Sequence, residues 1–148
     1  MRISSKARYG LASMIFLALI SVDGENITVV SISEKLGISK IYLEQVFSLL
    51  KRAGLVISVK GALGGYQLTR KPEKITAYEI IYAIETSLFE RTDASVEMNS
   101  NYIELAMEGL VWDELDRSIA QTLKKVTLAD LKNQAENNMN KNDYMFYI

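Results

Sequence analysis

A short stretch around residue 40 carries side chains that are suited to reading DNA. It combines a lysine, a phenol ring, a carboxylate and an amide within seven positions. Glutamate accepts a hydrogen bond from cytosine N4, and glutamine pairs with the edge of adenine. We therefore predict a base-reading helix, with its contacts made by Ser39, Lys40, Tyr42, Glu44 and Gln45.

Further basic side chains are suited to phosphate contacts. Lys51 precedes the predicted hairpin, Lys60 lies within it, and Arg2, Lys6 and Arg8 lie close to the N-terminus. Contacts to phosphate fix the position of a protein on DNA but do not read its sequence. Taken one at a time, any of these residues is equally well explained as an ordinary solvated side chain.

Two predicted helices joined by a glycine turn would position these side chains. Thr28 is a candidate N-cap for a helix ending at Leu36, and Gly37 suits the left-handed turn after it. Ser39 caps a second helix over residues 40–53. Apolar residues at i, i+3, i+4 and i+7 predict its buried face, which comprises Leu43, Val46, Phe47 and Leu50.

A glycine-rich hairpin is predicted directly after these helices. Residues 55–59 and 66–70 read as strands, with Gly61, Gly64 and Gly65 between them. The glycines lack the strand–loop–helix context and the GK[ST] ending of a phosphate-binding P-loop. We therefore predict a wing, with Lys60 at its base, beside a helix-turn-helix.

The remaining elements are predicted to be helical. Residues 4–21 have an apolar face, and Thr76 with Glu79 forms a capping box for a helix over residues 77–88. A long helix is predicted over residues 102–126, and a short one begins at Thr127.

The fold class is mainly α with a small β-hairpin wing. The predicted divisions are a DNA-binding domain (1–89), a loop (90–101), dimerisation helices (102–133) and a C-terminal tail (134–148), polar and mobile over 134–142.

The predicted long helix has an apolar stripe that a small winged domain cannot cover by itself. The same helix from a second chain is the simplest cover, which predicts a homodimer. The predicted dimerisation residues are Ile103, Met107, Val111, Trp112, Leu115, Ile119 and Leu123.

The amino-acid composition excludes several kinds of chemical site. The 148 residues include no cysteine and no histidine, which excludes disulfides and thiolate- or imidazole-bound metal, and we predict no cofactor. No base–nucleophile pair is recognisable, and Ser4 and Ser5 beside Lys6 are better explained as a helix cap than as a catalytic site. We therefore predict a protein that is not an enzyme. Since no export signal is recognisable, we also predict a cytoplasmic protein.

Charge is divided between the two halves of the chain. Residues 1–74 hold 11 Lys and Arg against 5 Asp and Glu, whereas residues 75–148 hold 6 against 13. A basic half that carries the helix-turn-helix fits a double-stranded DNA operator as the partner.

Several motifs resemble those of the Rrf-type winged-helix regulators. They occur in the family's order at Met1–Gly10, Tyr42–Gln45, Ala53–Val56, Val59–Gly61, Gly64–Tyr66 and Thr127–Leu131, with Trp112 between the last two. The resemblance covers essentially the whole chain. It implies a dimeric repressor with crossed long helices that binds a roughly palindromic operator.

One departure from that family matters. Its iron–sulfur members carry three cysteines in a region matching residues 90–107, where this chain has Ala94, Ser100 and Ala106. The resemblance therefore implies a clusterless branch.

The tail resembles that of the family's cysteine-metabolism repressors in low-GC Gram-positive bacteria. This likeness implies control by a partner enzyme, cysteine synthase (O-acetylserine thiol-lyase). The predicted partner-binding residues are Tyr144, Met145, Phe146, Tyr147 and Ile148. The Ile148 carboxylate would meet backbone donors while its side chain fills an apolar pocket. The alternative is a tail that packs on the dimer or is disordered.

Two other functions stay open. One keeps DNA binding but replaces the partner enzyme by a small effector held between the winged domain and the long helices. The other makes the winged domain a protein-interaction module with no DNA target.

Overall fold

The computed structural model describes residues 1–21 and 24–146. In chain order the helices and strands are α1 (Ser5–Ile20), α2 (Val29–Leu36), α3 (Lys40–Arg52), β1 (Val56–Val59), β2 (Gly65–Leu68), α4 (Ala77–Ile84), α5 (Asn101–Met107), α6 (Asp113–Lys125) and α7 (Leu128–Phe146). Single 3₁₀ turns cover Pro72–Lys74, Thr86–Phe89 and Met98–Ser100. A π-helical turn, Glu108–Trp112, joins α5 to α6. The predicted fold class, mainly α with a hairpin wing, is confirmed.

Helix α1 lies at the centre of the winged domain. Ser4 caps it, since its Oγ accepts a hydrogen bond from the Ala7 N–H at 3.1 Å. Met14 and Leu17 are fully buried, and the helix packs against α3, α4 and α7. Its sequence from Leu11 onward is apolar on almost every side, which is the pattern of a helix surrounded by others.

The helix-turn-helix forms at the predicted residues. Thr28 and Ser39 cap α2 and α3 through bonds to the Ser31 and Tyr42 N–H groups. Gly37 ends α2 with φ of 67°, a left-handed conformation that glycine adopts without strain. Leu43, Val46, Phe47 and Leu50 are all fully buried, as their spacing predicted.

The hairpin is antiparallel, with Val56 opposite Leu68 and Val59 opposite Gly65. Its strands lie within two residues of the predicted ends. Ile27 extends this arrangement, because its backbone N–H and C=O both bond to Tyr66, at 3.0 and 2.7 Å. The wing is therefore joined by its backbone to the segment that leads into α2.

Helix α4 is shorter than predicted. It ends at Ile84 instead of continuing to residue 88, and a 3₁₀ turn follows. The turn returns Phe89 to within 4.7 Å of the Tyr78 ring and 5.5 Å of the Tyr82 ring. In a continuous helix Phe89 would lie about 10 Å along the axis from Tyr82. Aromatic packing thus replaces the last helical turn.

The last helix corrects the predicted polar tail. Residues 134–142, expected to be mobile, are part of the 19-residue helix α7. Thr127 and Asp130 cap its start reciprocally, and Leu128 is fully buried in the core formed with α1 and α3. The Gln134 amide bonds to Asn138 at 3.1 Å one turn further on. Anchoring at one end and i,i+4 contacts extend the helix into a polar sequence.

No helix in residues 1–21 or 24–146 combines the length and the apolar character needed to cross a membrane.

The capping box at the start of α4 makes the stability of the fold depend on pH. Burial opposes ionisation of Glu79, but the Thr76 N–H and the Arg70 guanidinium, each at 2.9 Å, outweigh it, so its pKa lies below the usual value of 4.5. A lowered folded-state pKa stabilises the fold above the unfolded-state pKa, and this contribution disappears as pH falls through the folded-state pKa.

We expect Glu79→Gln to lower the free energy of unfolding at pH 7 by under about 1 kcal/mol, because Gln keeps the cap but loses the exposed ion pair. The difference from the unaltered protein should shrink as pH falls below 4.5. Urea unfolding between pH 3 and 7 measures it, with the exposed Glu73→Gln as control. A difference that is the same at every pH would contradict the role of the Glu79 charge.

Candidate nucleic-acid interface

The N-terminal turn of α3 presents polar side chains to solvent. Lys40, Glu44 and Gln45 are exposed, and the Lys40 ammonium lies 3.9 Å from the Glu44 carboxylate. Ser39 is also exposed, but its Oγ accepts the Tyr42 N–H at 3.2 Å and so caps the helix. An exposed pair of this kind contributes under about 1 kcal/mol to stability, so both side chains can exchange partners at little cost.

Tyr42 has a different position from the one predicted. Its side chain is half-buried, with the ring edge against Tyr9 of α1 at 5.3 Å between centroids. Edge-to-face packing of this kind is favourable beyond the area that it buries. Tyr42 therefore helps to hold the start of α3 against α1 and remains partly exposed.

The wing has a fixed shape because two glycines make close backbone contacts. A Cβ at Gly64 would lie 2.3 Å from the Val59 carbonyl oxygen, and one at Gly65 would lie 2.5 Å from that of Ile27. At the tip, the Asn26 amide donates to the Leu63 carbonyl at 2.8 Å. Only glycine allows these approaches, and the tip is bonded to the segment before α2.

Tyr66 joins the wing to the base-reading helix. Its ring lies 4.5 Å from that of Phe47, which is fully buried on α3. Burial, with a smaller effect of the nearby Glu44 carboxylate, raises the pKa of the Tyr66 phenol above 10.0. The phenol therefore stays neutral at physiological pH, and its ring fixes the distance between wing and helix.

These elements form one cleft between α3 and the wing. It is lined by Lys40 and Glu44 on one side and by Lys60 and Gly61 on the other. Lys40 and Glu44 come from α3 and Lys60 comes from the wing, so the fold brings together residues from two separate parts of the sequence. A cleft with cations on both walls can follow phosphate while the helix faces base edges.

The other predicted basic residues lie apart from this cleft. Arg2, Lys6 and Arg8 are at the start of α1, where the Arg8 guanidinium donates to Ser5 Oγ at 3.0 Å. A groove lined by Ser5, Tyr9 and Ser39, among others, separates this region from α3. Lys51 is exposed in the last turn of α3, about 16 Å along the axis from Lys40.

Two exposed aliphatic side chains on this surface were missed by the sequence predictions. Ile41 in α3 is 73% exposed, and Leu63 at the wing tip is 88% exposed. The signal was present for Ile41, because it falls outside the predicted buried stripe of its helix. Leu63 lies in a glycine-rich turn, whose residues have no periodic pattern from which its exposure could be predicted.

The predicted dimerisation stripe is largely uncovered. Ile103, Val111 and Leu115 are exposed, and the partly buried residues of the stripe are Met107, Trp112, Ile119 and Leu123. Leu110, also part of the predicted apolar stripe, is exposed, and Tyr102 and Leu105 add to this apolar surface.

The π-helical turn explains how the stripe stays on one side. Residues four apart drift by about 40° at each step on a regular helix of 3.6 residues per turn. The wider turn over residues 108–112 rotates less per residue and takes up part of this drift. A uniform helical period could not have predicted it.

The predicted tail is described in part. Its backbone is helical as far as Phe146, whereas the side chains of Tyr144, Met145 and Phe146 and the whole of Tyr147 and Ile148 lie outside the described residues.

The sequence matches one known protein family over most of its length. Residues 3–134 match the model of the family Rrf2, described as an iron-dependent transcriptional regulator. The chain is 37% identical over 136 residues to the HTH-type transcriptional regulator IscR of Erwinia tasmaniensis, covering 92% of this chain and 81% of that one.

Solved structures of two transcriptional regulators are also similar to this chain. The chain is similar to CymR (YrzC), the global cysteine regulator of B. subtilis, with 34% identity, a TM-score of 0.74 and coverage of 90% and 98% of the two chains. It is also similar to T. potens IscR, with 35% identity, a TM-score of 0.72 and coverage of 93% and 90%.

The description of the matched model implies iron, and the residues of this chain do not fit a cysteine- or histidine-ligated iron group. Neither residue type occurs in the 148 residues. In the loop before α5, the Glu104 carboxylate already accepts the Ser95 and Val96 N–H groups, at 3.0 and 3.1 Å. Arg91 pairs with Glu108 and with Asp113. Carboxylate contacts and ion pairs order this region.

Proposed function

The chain belongs to the Rrf2 family of transcriptional regulators, and we propose that it is a dimeric repressor of cysteine and sulfur metabolism genes controlled by cysteine synthase. The family predicted from the motifs is confirmed, as is its class, a DNA-binding regulator and not an enzyme. The observation that carries the DNA-binding part is the cleft shared by Lys40 and Glu44 of α3 and Lys60 of the wing.

Binding to an operator follows from the arrangement of these elements. The N-terminal turn of α3 enters the major groove, where Glu44 and Gln45 meet base edges. Lys60 and the wing lie over the adjacent phosphates or minor groove. Arg2, Lys6 and Arg8, at the start of α1, hold the backbone beside α3. Lys51 contributes at most a backbone contact because of its distance from the cleft.

Salt dependence tests this arrangement. We expect the affinity for an in-vitro-selected operator to fall linearly on a log–log plot against salt concentration, because phosphate contacts release counterions. Lys60→Ala should reduce the magnitude of this slope by about 1 for each half-site of the operator. Fluorescence anisotropy at several salt concentrations measures it.

The matched control is Lys141→Ala, which removes an exposed lysine from α7. Its slope should equal that of the unaltered protein. Failure of the protein to prefer any DNA sequence at moderate salt would favour the protein-interaction module instead.

Dimerisation through the long helices is supported by the apolar surface that they leave uncovered. Leu110 is 81% exposed and Leu115 51% exposed, beside Tyr102 and Leu105. An apolar surface of this extent is unusual on a monomer and typical of an interface between subunits. Two winged domains held by paired long helices would face the two halves of a palindrome.

We expect Leu115→Glu to shift the protein from dimer to monomer, because burying a carboxylate in an apolar interface is costly. Sedimentation velocity measures the change, and affinity for the palindromic operator should fall by at least tenfold. Met139→Glu is the control, since Met139 is comparably exposed but lies on α7. Dimers of normal affinity in Leu115→Glu would place the interface elsewhere.

Control by cysteine synthase is supported by the tail sequence and by the similarity to the global cysteine regulator. Residues 137–143 of α7 are exposed, so this part of the helix does not pack on the winged core. A chain terminus that ends in an aliphatic residue suits a pocket that binds peptide termini. Tyr144–Ile148 are the residues proposed to enter it.

Deleting Ile148 should abolish binding to cysteine synthase, because the deletion removes the aliphatic side chain offered to the enzyme. Dimerisation and operator affinity in the absence of the enzyme should be unchanged. Surface plasmon resonance with immobilised enzyme measures the loss, with Ile148→Leu as a conservative control, and O-acetylserine should compete with the unaltered protein. Equal binding by the truncated protein would reject this mechanism.

A cavity favours one alternative, direct control by a small molecule. It measures about 270 Å³, lies between the N-terminus, α4 and α6, and is lined by Met1, Ile3, Ile81, Leu88, Ile119 and Leu123, with Ser118 and Thr122. Its apolar walls suit an apolar effector better than O-acetylserine. Thermal stabilisation by a metabolite without cysteine synthase would favour this alternative.

A further inference from the structure

Ile41 occupies an unexpected position for an aliphatic residue. It is the second residue of α3 and is 73% exposed. Glu44 and Gln45 stand three and four positions further along, so all three share one face of the helix. The buried stripe of α3 lies on the opposite side. Ile41 therefore extends from the same surface as the proposed base-contacting residues.

Other exposed aliphatic side chains lie in or near the cleft between α3 and the wing. Val30 and Val59 line it and remain partly exposed, and Leu63 stands exposed at the tip of the wing. Single exposed apolar residues are normal on protein surfaces, whereas a group of them at one functional surface indicates a contact. This surface is therefore suited to a partner with both charged and apolar groups.

The major groove offers one such apolar group. Adenine, guanine and cytosine present hydrogen-bonding atoms there, and thymine adds a C5-methyl group that aliphatic side chains contact. Polar side chains on the same helix face supply the hydrogen bonds, and Ile41 supplies none. We propose that Ile41 is a specificity-determining residue that contacts the C5-methyl group of a thymine in each half of the operator. This inference rests on the proposed binding of α3 in the major groove.

Deoxyuridine tests the contact directly, because it keeps the pairing and O4 of thymine and lacks only the methyl group. Each thymine of an in-vitro-selected operator would be replaced in turn, symmetrically in both halves. We expect the unaltered protein to bind one such probe about fourfold more weakly per half-site, the effect of burying one methyl group. Ile41→Ala should bind the thymine operator more weakly by a comparable factor and bind that uracil probe with no further loss.

Ile41→Val should keep part of the sensitivity. The matched control is Ile57→Ala, which removes an exposed isoleucine from β1 and leaves α3 unchanged. It should keep the full sensitivity to uracil. Both positions are exposed, so these substitutions leave the folded core unchanged, as circular dichroism would verify.

The outcomes separate this inference from the function on which it rests. If the unaltered protein and Ile41→Ala lose the same factor on every uracil probe, or if no probe affects the unaltered protein, the methyl contact is rejected while operator binding stands. If the unaltered protein prefers no DNA sequence, the proposed function fails and the inference fails with it.

Discussion

The contact between Phe47 and Tyr66 determines where the two DNA-facing elements stand. Phe47 is fully buried on the inner side of α3, and the Tyr66 ring from β2 lies 4.5 Å away. The backbone of Tyr66 is bonded to Ile27, directly before α2. Because protein interiors are closely packed, this contact leaves little freedom in the separation of helix and wing. The proposed binding of α3 and the wing to neighbouring parts of one DNA site depends on that separation.

The long helices are attached to the winged domain at their far end. The Ala77 N–H bonds to the Val126 carbonyl, and the Leu128 N–H bonds to that of Ile75, both at 2.8 Å. Helix α6 packs on α4, and α4 in turn packs on α1 and α3. Helix α4 is thus the packed element that lies between α6 and α3.

The division of charge fits the same arrangement. The basic half contains the cleft and wing, and the acidic half contains the helices that face away from it. The loop before α5 is ordered by Glu104 and by Arg91, without the cysteine or histidine ligands that an iron group of the family would need. The control proposed for this chain acts instead through its tail or through its apolar cavity.

The sequence by itself determined the features that depend on neighbouring residues. Helix caps at Thr28, Ser39 and Thr76 each need one side chain and a backbone group three positions away, so their spacing is visible in the chain. Only the tertiary structure decided that α7 continues through a polar segment and that Tyr42 packs against α1. It also decided which apolar side chains remain exposed around the cleft. These outcomes depend on residues far apart in sequence, whose packing no local pattern records.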